Sequence, residues 1–171
     1  MSTKTQLNIS SSLVNGGKIM AKYGIVQYFE VSFDVILSGL IKELQKKGFD
    51  ILSSCKINKA FRETLGVKYG RYLILSVANL PLAYKALKKE EHFGLVLPCN
   101  IAVFEKEGKT VISTINPSSF MHIIDNEHLN EGAAIIEKKF REILDTLKRN
   151  EKKIAKEQLR TRQPKLHKAV A

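Results

Sequence analysis

Apolar and polar positions recur at two periods along this chain, and the switches between them mark its elements. Tyr23 to Val31 (YGIVQYFEV) alternates aromatic and β-branched residues with others, the period of a half-buried strand. From Ser32, a capping residue, the period lengthens. Leu37, Leu40, Ile41 and Leu44 share a helical face, Lys42, Glu43, Gln45 and Lys46 take the wet side, and Gly48 stands where helices close. Phe49 to Ile57 (FDILSSCKI) reads as a second strand, and Phe61 to Gly66 as a single helical turn. Arg71 to Ala78 is a third strand, with Leu73, Leu75 and Val77 on one face. Asn79 caps the next helix and Pro81 sits in its first turn. That helix is expected to turn Leu82, Ala83, Ala86 and Leu87 inward and three lysines outward, and to end by Gly94. Leu95 to Phe104, the polar loop Glu105 to Lys109, and Thr110 to Ile115 predict a hairpin. Asn116-Pro117 repeats the cap-and-proline arrangement and opens a short helix through Ile124. A long helix begins near Glu127. Its apolar stripe of Ile136, Phe140, Ile143 and Leu147 thins to Ile154 and Leu159 before Pro164 ends it.

This order, β-α-β-β-α-β-β-α-α with a hairpin inside it, makes part of the sheet antiparallel. It predicts an α+β fold with helices on one face, not a doubly wound parallel sheet. Residues 1–21, rich in Ser, Thr, Asn and Gly, read as a flexible leader with a hinge at Gly16-Gly17. Residues 22–147 read as a single α+β domain. Residues 148–171 read as a basic tail, helical and then disordered, and removing the residues after Asn150 is expected to leave the fold intact.

Composition refines this picture in three ways. The 44% hydrophobic content supplies a core, but no apolar run reaches the roughly 18 residues of a membrane span. No secretion signal is read in the leader, which predicts a cytoplasmic protein with Cys55 and Cys99 as free thiols. The net charge of +11 is concentrated at the end: residues 148–171 hold nine Lys/Arg against two Asp/Glu, and the rest holds 19 against 15. The tail has no aromatic side chain to stack on bases. It is a solvated helical extension or, at most, a weak, non-specific, salt-sensitive polyanion contact.

The candidate chemistry lies in the fourth strand, where Pro98, Cys99 and Asn100 interrupt an otherwise apolar run. Pro98 has no N–H for a ladder and demands a strand start, an edge or a bulge. Cys99 shares a face with Leu97, Ile101 and Val103. It is either a small buried hydrophobe or a thiol that carries sulfur or binds a metal or haem. Asn100 falls on the other face with Pro98 and Ala102, lining a pocket or hydrogen-bonding its neighbours. His92 and His122 are candidate axial haem ligands, and Tyr84 and Lys85 are further pocket candidates. No histidine or cysteine spacing forms a metal motif, so no metal ligand is assigned, and no Gly-x-Ser-x-Gly is present.

Several segments together resemble a known family. They are Lys47-Gly48-Phe49, Leu65-Gly66-Val67, Asn79-Leu80-Pro81-Leu82-Ala83-Tyr84-Lys85-Ala86-Leu87, Gly94-Leu95-Val96-Leu97-Pro98-Cys99-Asn100 and Ile115-Asn116-Pro117. The chain is similar, from about Met20 to Leu147, to the family catalogued as domain of unknown function 302. Asn116 stands where that family often has Asp, and Leu80 is inserted between Asn79 and Pro81. The missing carboxylate at 116 weakens any mechanism that needs an acid there. The resemblance implies a β-α-β(4)-α fold like that of the TATA-binding protein, and a homodimer. It implies no reaction and no particular cofactor. The resulting expectation is a homodimeric module that binds a small ligand, a sulfur species, or a metal or haem at Pro98, Cys99 and Asn100, with Tyr84, His92 and His122 nearby. The alternative is an enzyme of redox or sulfur-transfer chemistry with Cys99 as nucleophile.

Overall fold

The computed structural model of the chain describes residues 14–15, 18–21, 24–124 and 126–162; of residues 14–15, 18–21, 122–123 and 157–162 it describes the backbone alone. Among the described residues seven strands form one sheet in the order β1-β2-β3-β7-β6-β5-β4, with every neighbouring pair antiparallel. The strands are β1 (Val14–Asn15), β2 (Lys18–Ala21), β3 (Gly24–Phe29), β4 (Asp50–Lys56), β5 (Tyr72–Ala78), β6 (Cys99–Lys106) and β7 (Lys109–Ile115). The helices are α1 (Phe33–Lys46), α2 (Ile57–Leu65), α3 (Leu80–Lys89), α4 (Ser118–Ile124) and α5 (Glu127–Arg162), with a 3-10 turn at Glu91–Leu95. The fold class is α+β, as the hairpin pattern predicts. No helix among the described residues is long and apolar enough to cross a membrane.

Alternation along the strands sets the core. Ile25 and Phe29 of β3, Ile112 of β7, Ile101 and Val103 of β6, and Leu73, Leu75 and Val77 of β5 align on one face by register. Helix α1 lays Phe33, Ile36, Leu40 and Leu44 on that face, and α5 adds Phe140, Ile143, Leu144 and Leu147. The two helices approach closely at Gly39, where a Cβ would lie 3.1 Å from Leu147 Cδ2. Phe49 and Phe140 stack with ring centroids 5.0 Å apart. On the opposite face Tyr72 stacks on Phe104 at 5.0 Å, and Tyr69 continues the row toward Phe61 of α2.

Four local expectations change. The segment expected as leader contributes β1 and β2, and β2 pairs with β3 from Lys18↔Gln27 to Ala21↔Gly24. The turn expected at 61–66 is a nine-residue helix closed by Gly66 at φ 66°. The fourth strand begins at Cys99, not Leu95: Pro98 cannot donate to the ladder, so it sits just before the strand, and the residues ahead of it coil into the 3-10 turn. Asn79 caps α3 as expected, with Oδ1 accepting from Leu82 N at 3.3 Å, but Asn116 does not cap α4. Its Oδ1 is buried without a hydrogen-bond partner among the described residues.

Helix α5 runs through the boundary expected at residue 147. Lys148 Nζ donates to the Tyr28 carbonyl at 2.9 Å and lies 5.5 Å from the Phe29 ring centroid. The Glu151 carboxylate accepts from Glu30 N and pairs with Lys148 at 2.6 Å, while Ile154 and Ala155 pack on the core. Removal of the residues after Asn150 therefore strips contacts from β3. A chain ending at Asn150 is expected to lose about 1–3 kcal/mol of stability, the scale of a half-buried aliphatic side chain and a charge-assisted hydrogen bond. A chain ending at Lys156 is expected to keep its urea midpoint. Equal midpoints for both would contradict the packing of this turn. Arg149, Lys152, Lys153 and Lys156 are exposed on α5. Residues 163–171 of the basic tail, and residues 1–13 of the leader, lie outside the described residues.

Candidate functional site

The positions of Pro98 and Asn79 build a cavity at one end of the sheet. Asn79 ties two elements together: while its Oδ1 caps α3, its Nδ2 donates to the Gly48 carbonyl at 2.7 Å, just beyond α1. This holds α3 beside the ends of β5, β6 and β7. The resulting cavity has a volume of about 220 Å³. Ala78, Cys99 and Ile115 line it from the strand ends, and Leu82, Ala83 and Ala86 from α3. Phe93, Val96 and Leu97 line it between α3 and β6, and Phe120 and Met121 from α4. Leu129, Gly132, Ala133 and Ile136 line it from α5. Met121, Leu129 and Ala133 form a small buried cluster of their own, separate from the main core. Lys85, Lys89, His128 and Glu131 also line the cavity and are exposed, so the polar part of the wall is the part that meets water.

Cys99 is half-buried and faces the helices, on the side with Ile101 and Val103 that strand alternation assigns it. Burial pushes its thiol up from 9.0 to about 11, because a thiolate would lose its hydration there. The group is a neutral thiol across the physiological range. A thiolate nucleophile needs the opposite environment, with a cation or helix N-terminus lowering its pKa. Asn100 points to the other face and is exposed, with Oδ1 accepting from Ser76 Oγ at 2.9 Å. It belongs to the sheet and not to the cavity. Cys55 is exposed on β4, on the sheet face away from Cys99, and both cysteines are free.

The remaining sequence candidates scatter. Pro98 adjoins two lining residues, Leu97 and Cys99, without lining the cavity itself. Tyr84 is exposed on the outer side of α3, where Lys88 Nζ lies 5.8 Å from its ring centroid. Leu87, expected inward, is also exposed, and Phe93 takes its place in the wall. His92 is exposed on the 3-10 turn, its backbone N–H donating to Glu90 Oε1 at 3.1 Å. The His122 side chain lies outside the described residues. Lys85 does line the cavity. Sequence reasoning misses Gly132 and His128; the signal for the first is a glycine in the interior of a strongly patterned helix.

This geometry narrows the chemistry. No group of three His, Cys, Asp or Glu among the described residues is placed to hold a metal ion. The cavity falls below the roughly 300–1,000 Å³ that takes drug-sized ligands. A haem macrocycle does not fit that volume, and His92 does not reach it. What the walls offer is an apolar interior, one neutral thiol, and an exposed polar margin.

Fold and site define an α+β domain, an antiparallel sheet backed by two long helices, with an apolar cavity at the sheet end. The chain belongs to the family described as domain of unknown function DUF302, whose model matches residues 25–147. The fold is similar to that of an uncharacterized conserved DUF302 protein from Bacillus stearothermophilus, known from a crystal structure. The two share 25% sequence identity, with a TM-score of 0.68 over 73% of this chain and 98% of that one. No curated protein matches the chain.

Proposed function

We propose that this DUF302 domain is a binding module for a small, largely apolar molecule held in the cavity between α3, α4, α5 and the end of the sheet. One observation carries the reading: about 220 Å³ of space lined mainly by apolar side chains, kept open by small residues on facing helices, Ala83 and Ala86 on α3 and Gly132 and Ala133 on α5. The space opens to water at its polar margin, and an apolar molecule that displaces water from the apolar wall gains the free energy of burying that surface. An apolar cavity of about 150 Å³ already takes up benzene. In this reading Cys99 is a neutral wall group. The thiol-enzyme alternative is disfavoured by the same burial that raises its pKa.

Calorimetric titration with toluene tests the proposal. The wild-type protein is expected to give saturable heat with one site per chain. Ala86→Leu, which places three more carbons in the cavity, is expected to weaken binding at least tenfold while leaving the melting temperature equal or higher. No saturable binding, or equal binding by the variant, would sink the proposal.

A further inference from the structure

We infer that the ligand of this cavity is an anionic amphiphile: a free medium-chain carboxylate, with its alkyl chain inside and its head at the lysines of α3. This rests on the reading of the cavity as a ligand site and names the class of molecule it takes.

The polarity of the wall gives the two ends. Cys99, Ile115, Phe120 and Ile136 face the space with no formal charge. Lys85 and Lys89 stand one helical turn apart on α3, at i and i+4, and are exposed. Lys85 makes no ion pair among the described residues. Lys89 Nζ donates to the His128 carbonyl at 3.2 Å, which bridges α3 to α5 and leaves an ammonium with further donors. Among the described residues Glu131, on α5, is the one acidic residue in the wall, so the margin carries two lysines against one glutamate. An alkylammonium would meet like charge twice, whereas a carboxylate finds two partners.

Volume sets the length. The cavity is larger than the roughly 150 Å³ that takes up benzene and smaller than the roughly 300 Å³ of the smallest drug-sized sites, which suits a chain of medium length. Gly132 shows how the space is kept. It lies inside α5, where glycine costs roughly 0.5–1 kcal/mol against alanine. A Cβ at this position would meet nothing within 4 Å, so no packed neighbour demands a glycine. Its effect is to leave the α5 wall open beside the cavity.

Competition between octanoate, octan-1-ol and octylammonium on the full-length protein, with toluene as the displaced probe, tests this. Octanoate is expected to bind at least tenfold more tightly than octanol, and octylammonium more weakly than either. The preference for octanoate over octanol is expected to fall below threefold in the double variant Lys85→Gln, Lys89→Gln, with toluene binding retained. Gly132→Leu is expected to fold at least as stably and to lose both toluene and octanoate. Equal affinity for octanol or octylammonium, or a preference that survives the double variant, would overturn the carboxylate assignment while leaving the cavity a ligand site. If toluene and all three chains fail to bind, both readings fall.

Discussion

Phe140→Ala is expected to destabilise the fold by about 3–5 kcal/mol, the range measured for large-to-small changes at buried aromatics. Phe140 is 1% exposed and its ring stacks on Phe49 at 5.0 Å. It links α5 to the segment between α1 and β4, and Phe49 also lines the cavity. Loss of the ring therefore removes buried area, leaves a void and loosens the wall behind the site. Urea unfolding of the variant measures the cost. A loss under about 1 kcal/mol would be that of a surface substitution, and would show that the α5 stripe does not carry the core as described.

Cys99 is expected to react with iodoacetamide about a hundredfold more slowly in the native protein than in the unfolded chain. Between the ordinary 9.0 and about 11 the thiolate fraction at neutral pH falls by two powers of ten, before any hindrance from the wall is added. Cys55 is exposed and is expected to be labelled first. The same shift carries a stability consequence. The folded state holds the Cys99 proton more tightly than the unfolded state, so the contribution is present in full below pH 9 and is lost as pH rises toward 11. Two pKa units correspond to an upper bound of about 2–3 kcal/mol. Stability of Cys99→Ala against pH, compared with wild type, isolates it: the wild type should lose its relative advantage between pH 9 and 11. Fast native labelling of Cys99, with no difference in slope between the two proteins, would return the thiol to candidacy as a nucleophile.

Much of the fold is legible in the sequence because its signals are local. The α1 stripe and the Asn79 cap each fall within a dozen residues, and the 95–115 hairpin spans 21 consecutive ones. The fourth strand is read too early because apolar content alone does not separate a strand from the 3-10 turn before Pro98. β1 and β2 escape because two- and four-residue strands are too short for alternation to stand out from chance, and what makes them strands is the ladder running through β2 to β3. The site is half legible. Strand alternation places Cys99 inward and Asn100 outward, as found. Tyr84 and Lys85 read as pocket residues from their place on the Pro81 helix, and His92 from its place before Gly94, yet α3 turns Tyr84 away while Lys85 and Lys89 line the cavity. The cavity depends on distances between α3 and α5, elements some fifty residues apart, and local patterning is silent on such distances.

Methyl-resolved NMR of the full-length protein during a toluene titration tests the central claim most directly. Saturable shifts are expected at Ala83, Ala86, Val96, Met121, Leu129 and Ala133, all in the cavity wall, with Ile74 and Ala102 on the opposite sheet face unmoved. Shifts confined to Ile74 and Ala102, or none that saturate, would contradict the cavity as the binding site.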